Sequence, residues 1–364
     1  MTPPTLPALS HPAGPYPAAA RPAPPAGLPT RALALLGPDF GLTLAFLAVL
    51  FALVAAFGAS FVWAKGPILW AGGILTALVV IALLSGAPAI LRGRPGAWRD
   101  VGAAARTAAR DWGPFTIIMW AFESMETYTG AIRKTGIDDA LYRLDLHLFG
   151  VEPTVWAGRF HHPLLTDWMS LTYGLYFVLP MAVAAALSLR GRRRDLRELS
   201  TAVILQMGLG FLLFLLFPAG PPRFYPPLVA GVFQPAHLHS WTGLYEMQQT
   251  VFDAVDPLKI RSAFPSLHCS IGLLTLFYSW RFGDALFPRR RRLYFWICLP
   301  LVVSLWVSTI YLRHHWVPDI AAGLALGLVS ATLAPRLRRA WPTAAITPAA
   351  MTAPARPATQ RPGR

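Results

Sequence analysis

Long apolar runs, separated by short polar or arginine-rich stretches, set the rhythm of the chain. Runs of about 20 residues, the length at which a helix crosses a hydrocarbon core of ~30 Å, recur at 39–63, 67–91, 114–131, 163–189, 199–217, 264–280, 293–312 and 317–334. They predict an all-α fold, a polytopic membrane helix bundle of about eight transmembrane helices. The third run is the least apolar, because Glu123 and Glu126 lie inside it, and a carboxylate at the centre of a span costs about 2.5–3.5 kcal/mol. Residues 1–38, rich in proline and alanine and without the apolar stretch of a secretory signal, read as a disordered tail, as do residues 335–364. Between the tails, 39–113 holds two spans and a basic loop, and 114–334 holds six. The stretch 138–156 alternates apolar and charged positions and predicts an amphipathic helix lying along the membrane surface.

Composition agrees with a membrane protein. Of 364 residues 55% are hydrophobic and only 13% charged, with a mean hydropathy of +0.47. The formal charge of +15 would suggest nucleic acid in a soluble protein, but its placement points elsewhere. Arginines cluster at 92–110, at 190–197, at 281–292 and from Arg336 onward. Eight spans put all four clusters and both termini on one side, as the positive-inside rule requires of a cytoplasmic face. Removing the third span would strand the first cluster, so it is retained. The basic excess therefore reports topology and attraction to anionic headgroups in the cell membrane, with no nucleic acid partner. Cys269 and Cys298 fall within apolar helices far apart in sequence, where core packing is the expected role.

Threading also gathers three polar stretches on the opposite, extracytoplasmic side: "PAGPPRFYPP" (218–227), "RSAFPSLHCS" (261–270) and "YLRHHWVPDI" (311–320). His315 and Asp319 are four residues apart, so a continuing helical turn would place them on one face. A carboxylate there would fix the imidazole tautomer and free the other nitrogen as nucleophile or base. His268 follows Pro265 and Ser266 at a helix start, where unpaired N–H groups favour an anion. Arg223 and Arg261 share that loop region, and guanidinium forks suit phosphate. Blander readings exist for each: interfacial histidines beside Trp316, and arginines snorkelling to headgroups. Zinc on His268, His314, His315 and Asp319 is a further alternative. No Gly-rich loop, carboxylate cluster or Cys/His set calls for a cofactor or an obligatory metal.

"FPSLH" (264–268) and "HHWVPD" (314–319) resemble the second and third motifs, P-S-G-H and S-R-x5-H-x3-D, of the type 2 phosphatidic acid phosphatase superfamily. The leucine of P-S-L-H and a tyrosine ahead of paired histidines are similar to the inositol phosphorylceramide synthase branch. The likeness extends over roughly 114–334 as a six-helix core, with the first two spans as an addition. It implies that His315 is a nucleophile forming a phosphohistidine, Asp319 orients it, and His268 protonates the departing oxygen. Ser266 and the backbone around it would hold phosphate. Arg223 matches the arginine of the first motif, K-x6-R-P, only in part, because Leu216 and Phe224 stand at its lysine and proline positions. In the third motif Ser308 is in place but Thr309 replaces the arginine. Arg313, one helical turn later, is expected to supply that guanidinium from the same face.

Residues and resemblance together predict a metal-free phosphotransferase or phosphatase acting on a phospholipid or lipid phosphate. The acceptor would be an inositol-like polyol or water. A non-catalytic lipid binder or transporter with the same fold is the reading from a different class. Glu123 and Glu126 are open to several roles: hydrogen bonding to a polyol headgroup, an arginine pairing, or a place near the membrane surface. Tyr173 and Tyr176, one turn apart in the fourth span, read as packing residues.

Overall fold

In the computed structural model, residues 28–57, 91–93, 97–124, 133, 135–231, 238–253 and 261–342 are described. The second expected span, 67–91, lies almost wholly outside them, as does Glu126; Glu123 falls in a helix, but its side chain is not described.

Helix α1 (Leu28–Ala56) breaks at Gly37, whose φ of 74° only glycine adopts freely, and restarts at Pro38. Helix α2 (Ala97–Ser124) begins in the first basic cluster and runs into the apolar third run. Three short elements follow: α3 (Asp138–Phe149), α4 (Pro153–Ala157) and, after a 3-10 turn at Gly158–Phe160, α5 (Pro163–Gly174). Gly150 ends α3 in the left-handed conformation, with its N–H on the Leu146 carbonyl. The 138–156 stretch is thus two helices. The first turns Leu144, Leu148 and Phe149 outward and buries Leu141 and Asp145 against the protein.

Helix α6 (Val178–Leu189) continues the fourth span beyond a break at 175–177. Then come α7 (Arg193–Leu216), α8 (Pro226–Gly231), α9 (Leu244–Asp253), α10 (Leu267–Phe282), α11 (Leu293–Tyr311) and α12 (Val317–Ala340). No strand forms among the described residues; a single parallel bridge joins Ala219 and Ser262.

Five helical segments are long and apolar enough to cross a membrane: Leu36–Ala56, Pro163–Leu189, Arg193–Leu216, Leu293–Tyr311 and Val317–Ala340. The chain is therefore an all-α, multi-pass membrane bundle. Two expected spans fall short of that standard for identifiable reasons. Helix α2 carries its polar first half into the same helix, and α10, at 16 residues, covers only ~24 Å at 1.5 Å per residue.

Helix α7 is the central post, packed against α1, α2, α6, α10 and α12. Helices α10 and α12 approach each other closely. A Cβ on Gly323 would stand 2.2 Å from the Ser266 carbonyl oxygen, and one on Gly327 would stand 2.8 Å from that of Ser270. This glycine pair, four residues apart, lets two backbones touch where lipid offers no hydrophobic drive to association.

The bundle has two dissimilar ends. At one, residues from three of the basic clusters interlock with acids. Glu198 receives Arg281 at 2.9 Å and Arg338 at 3.1 Å, Arg192 bridges Asp195 and Asp284, and Arg193 pairs with Asp111. Arg110, of the remaining cluster, forks onto buried Asp39. The other end collects the starts of α10 and α12, the end of α11 and the loop after α7. The three polar stretches of the sequence meet there.

Candidate active site

The polypeptide reaches this end by three local devices. First, Ser266 caps α10, its hydroxyl oxygen accepting the Cys269 N–H at 3.3 Å. Its own N–H donates to the Asp319 carbonyl at 2.9 Å, lashing α10 to α12. Second, α11 stops at Tyr311, and Arg313 adopts a φ of 63°, a left-handed conformation uncommon outside glycine and asparagine. That turn brings the N–H groups of both His314 and His315 onto the Thr309 carbonyl, at 2.9 and 3.1 Å. Third, Trp316 caps α12 and is fully buried, its indole N–H donating to the Gly220 carbonyl at 3.0 Å. Rings of Tyr142 and Tyr225 pack against it.

On this frame His315 Nδ1 lies 3.3 Å from Asp319 Oδ2, and His315 Nε2 lies 3.5 Å from His268 Nδ1. The same Asp319 oxygen accepts the Trp316 N–H at 3.0 Å. His315 stands ahead of the helix, so the contact arises because Asp319, three residues into α12, reaches back as a capping residue does. The expected continuing helical turn through His315 is not formed. His315 is 4% exposed and Asp319 0%. One imidazole nitrogen thus faces a carboxylate while the other faces a second imidazole, an arrangement competent for nucleophilic attack with proton transfer.

Arg223, in a 3-10 turn at Pro222–Phe224, donates its backbone N–H to the Arg313 carbonyl at 3.2 Å and lies over the Phe224 ring. Burial, with the Arg223 charge and the imidazoles of His315 and His268, holds His314 well below the ordinary histidine pKa. Arg313 does not extend the helical face of Thr309, because α11 has already ended. A Cβ on Gly158 would stand 3.8 Å from the Arg313 guanidinium, and the charges of Tyr245, Arg223 and Glu152 bear on it. Thr309 is buried, and its hydroxyl donates to the Trp306 carbonyl at 2.7 Å. Arg261 is an ion-pair partner of Asp138 at 2.7 Å, and Asp138 also accepts the Gly220 N–H. The structure thus gives Arg261 a strut's position in the loop ahead of α10. Ser266, fully buried, is likewise engaged in the helix cap.

Two groups at this end belong to none of the sequence motifs. Asp145 of α3 is fully buried and accepts the Val317 N–H at 3.2 Å, so the first turn of α12 is capped from outside as well as by Asp319. Burial pushes the Asp145 carboxyl up to about 7, and the neighbouring charges of Glu152 and Asp319 add to the rise. Glu152, which caps α4 by accepting the Val155 N–H, is raised by burial too. The second group is Tyr173, whose ring stacks on two histidines at once. The alternating polarity of 138–156 is a signal for Asp145; nothing local marks Tyr173. Among the described residues, no group of three or more His, Cys, Asp or Glu side chains is placed to hold a metal ion.

No solved structure matches. A curated inositol phosphorylceramide synthase of Candida albicans is 33% identical over 171 residues, covering 43% of this chain and 33% of that protein. The chain thus matches about a third of that relative's length. The family model described as PAP2 superfamily matches residues 139–333, which take in α3 through most of α12 and the whole histidine cluster. With more than half its length matched, and with the two motif histidines and the aspartate meeting at one point, the chain belongs to the PAP2 superfamily.

Proposed function

We propose that the protein transfers a phosphate-bearing group from a lipid phosphate ester to an alcohol through a phosphohistidine on His315. The observation that carries this reading is the relay from Asp319 to His315 to His268, at 3.3 and 3.5 Å. Asp319 holds the Nδ1 proton of His315, leaving the Nε2 lone pair for phosphorus. Nε2 attacks, the P–O bond to the lipid alcohol breaks, and His268 gives its proton to that oxygen. In the second half an acceptor hydroxyl loses its proton to His268 and attacks phosphorus, and the N–P bond breaks to restore His315. Arg223 neutralises the phosphoryl oxygens, with Arg313 beside it.

The burial of His314 and His315, at 5% and 4% exposed, supports an alcohol acceptor over water, because a transferase must keep solvent from its covalent intermediate. The relative's name, inositol phosphorylceramide synthase, supports an inositol-bearing headgroup. The histidine end faces the extracytoplasmic side of the cell membrane, with the arginine-rich end and both termini cytoplasmic, in line with the positive-inside rule.

The test is incubation of purified protein with headgroup-labelled phosphatidic acid or phosphatidylinositol, with and without inositol or a long-chain alcohol. A new labelled lipid that needs the added alcohol supports transfer. Free phosphate regardless of alcohol identifies a phosphatase. Neither product, from any donor, would leave a binding or transport role.

A further inference from the structure

Tyr173, in the last turn of α5, is 6% exposed. Its ring lies 4.4 Å from that of His268 at an interplanar angle of 24°, and 4.5 Å from that of His314 at 22°. Both imidazoles thus lie nearly parallel to the phenol ring. Tyr176 closes a further side of His268 at 4.3 Å.

His268 needs such support. Its polar contact with His315 is 3.5 Å long, at the outer limit of a hydrogen bond and too weak to fix a ring by itself. Nearly parallel stacking on the phenol opposes tilting of the imidazole. We propose that Tyr173 is a positioning residue, which by stacking holds His268 with its proton directed at the oxygen that leaves phosphorus. The proposal rests on the roles given above to His315 and His268. It assigns the work to the ring face of Tyr173 and none to its hydroxyl.

A stacking wall that serves proton donation has a signature that a merely structural residue lacks. Donation matters when an alkoxide must leave and is dispensable when a nitrophenolate does. The experiment uses the full chain in detergent micelles and two esters with one headgroup, phosphate or inositol phosphate, whichever the wild type turns over. One ester is made with hexadecanol, the other with a nitrophenol carrying an alkyl tail. Single-turnover release of the alcohol and KM are measured for wild type, Tyr173→Phe, Tyr173→Leu, His268→Ala and His315→Ala.

Tyr173→Leu is expected to slow hexadecanol release by about 30-fold, a part of the ~10²- to 10⁴-fold that general acid catalysis supplies, with KM changed less than about twofold. Nitrophenol release should stay within about threefold of wild type, Tyr173→Phe should match wild type on both, and His268→Ala should show the same discrimination more strongly. If Tyr173→Leu does not fold, Tyr173→Met takes its place. Equal losses on both esters, no loss on the hexadecyl ester, or a Tyr173→Phe protein as slow as Tyr173→Leu would overturn the assignment. Wild-type protein without His315-dependent release from either ester would instead remove the phosphoryl-transfer reading itself.

Discussion

At the arginine-rich end a buried carboxylate meets a guanidinium; at the histidine end it meets a backbone N–H or an imidazole. Glu198, 1% exposed, lies between Arg281 and Arg338, and Asp39 lies under the fork of Arg110. Asp319 and Asp145 are as deeply buried, yet their hydrogen bonds among the described residues come from Trp316, Val317 and the ring of His315. Arginine keeps its proton, so a pair of the first kind is a fixed clamp between helices. A carboxylate of the second kind, lacking a permanent counter-charge, shifts its proton affinity and answers to the protonation of its neighbours. One end is held by fixed pairs; the other has the exchangeable protons that the proposed relay requires.

The sharpest way to separate the two ends is to remove the proposed nucleophile. His315→Ala is expected to lower turnover by about 10⁴-fold or more, and Asp319→Asn by about 10²- to 10³-fold, in steady-state assays of the folded protein. An active His315→Ala protein would break the contrast outright. Next in size is Gly323→Ala, whose new methyl must displace the Ser266 carbonyl. Pushing α10 away from α12 separates His268 from His315, and turnover should fall about 10- to 100-fold, since a 1 Å misplacement costs on that order.

The clamp end should respond in stability and not in chemistry. Glu198→Ala leaves two arginines without their acid and should cost about 1–3 kcal/mol, less than a fully buried pair because both arginines are partly solvated. Denaturant melts would show it, while kcat of the folded fraction stays within about twofold. For Asp145 the measurement is stability against pH. The folded carboxyl keeps its proton to about pH 7, whereas the unfolded one releases it near 3.8. Stability therefore drops as pH climbs through that window and levels off above it. Asp145→Asn should flatten the drop. The smallest effect is expected of Arg261→Ala: about 0.5–1 kcal/mol from the lost pair with Asp138, and turnover within about threefold. A large loss of turnover there would return Arg261 to the phosphate.

Much of this contrast is legible in the order of the amino acids. Like-charged clusters spaced by apolar runs announce a bundle with one basic end, and FPSLH with HHWVPD names the histidines and aspartate that come together. What stays hidden depends on contacts between segments distant in sequence. Arg261 looks like an anion ligand until Asp138, 123 residues earlier, is seen to hold it. Tyr173 does pack, in a cluster with Met169, Tyr311 and Leu312, but the imidazoles that the start of α10 and the loop after α11 bring against its ring are invisible in the sequence. The helical spacing of His315 and Asp319 points to the right partners through the wrong geometry, since a capping reach-back also joins residues a turn apart. Arg313 shows the opposite outcome, where the same spacing argument fails because the helix ends two residues earlier.

The glycines of α12 carry one more implication. Gly323 and Gly327 offer no functional group, yet nothing thicker than a hydrogen atom separates their backbone from that of α10 at the level of Ser266 and Ser270. In the proposed mechanism the separation of the His268 and His315 rings is thus set by the absence of side chains between α10 and α12, so that a pair of residues with no chemistry of their own governs how closely the chemistry can be brought together.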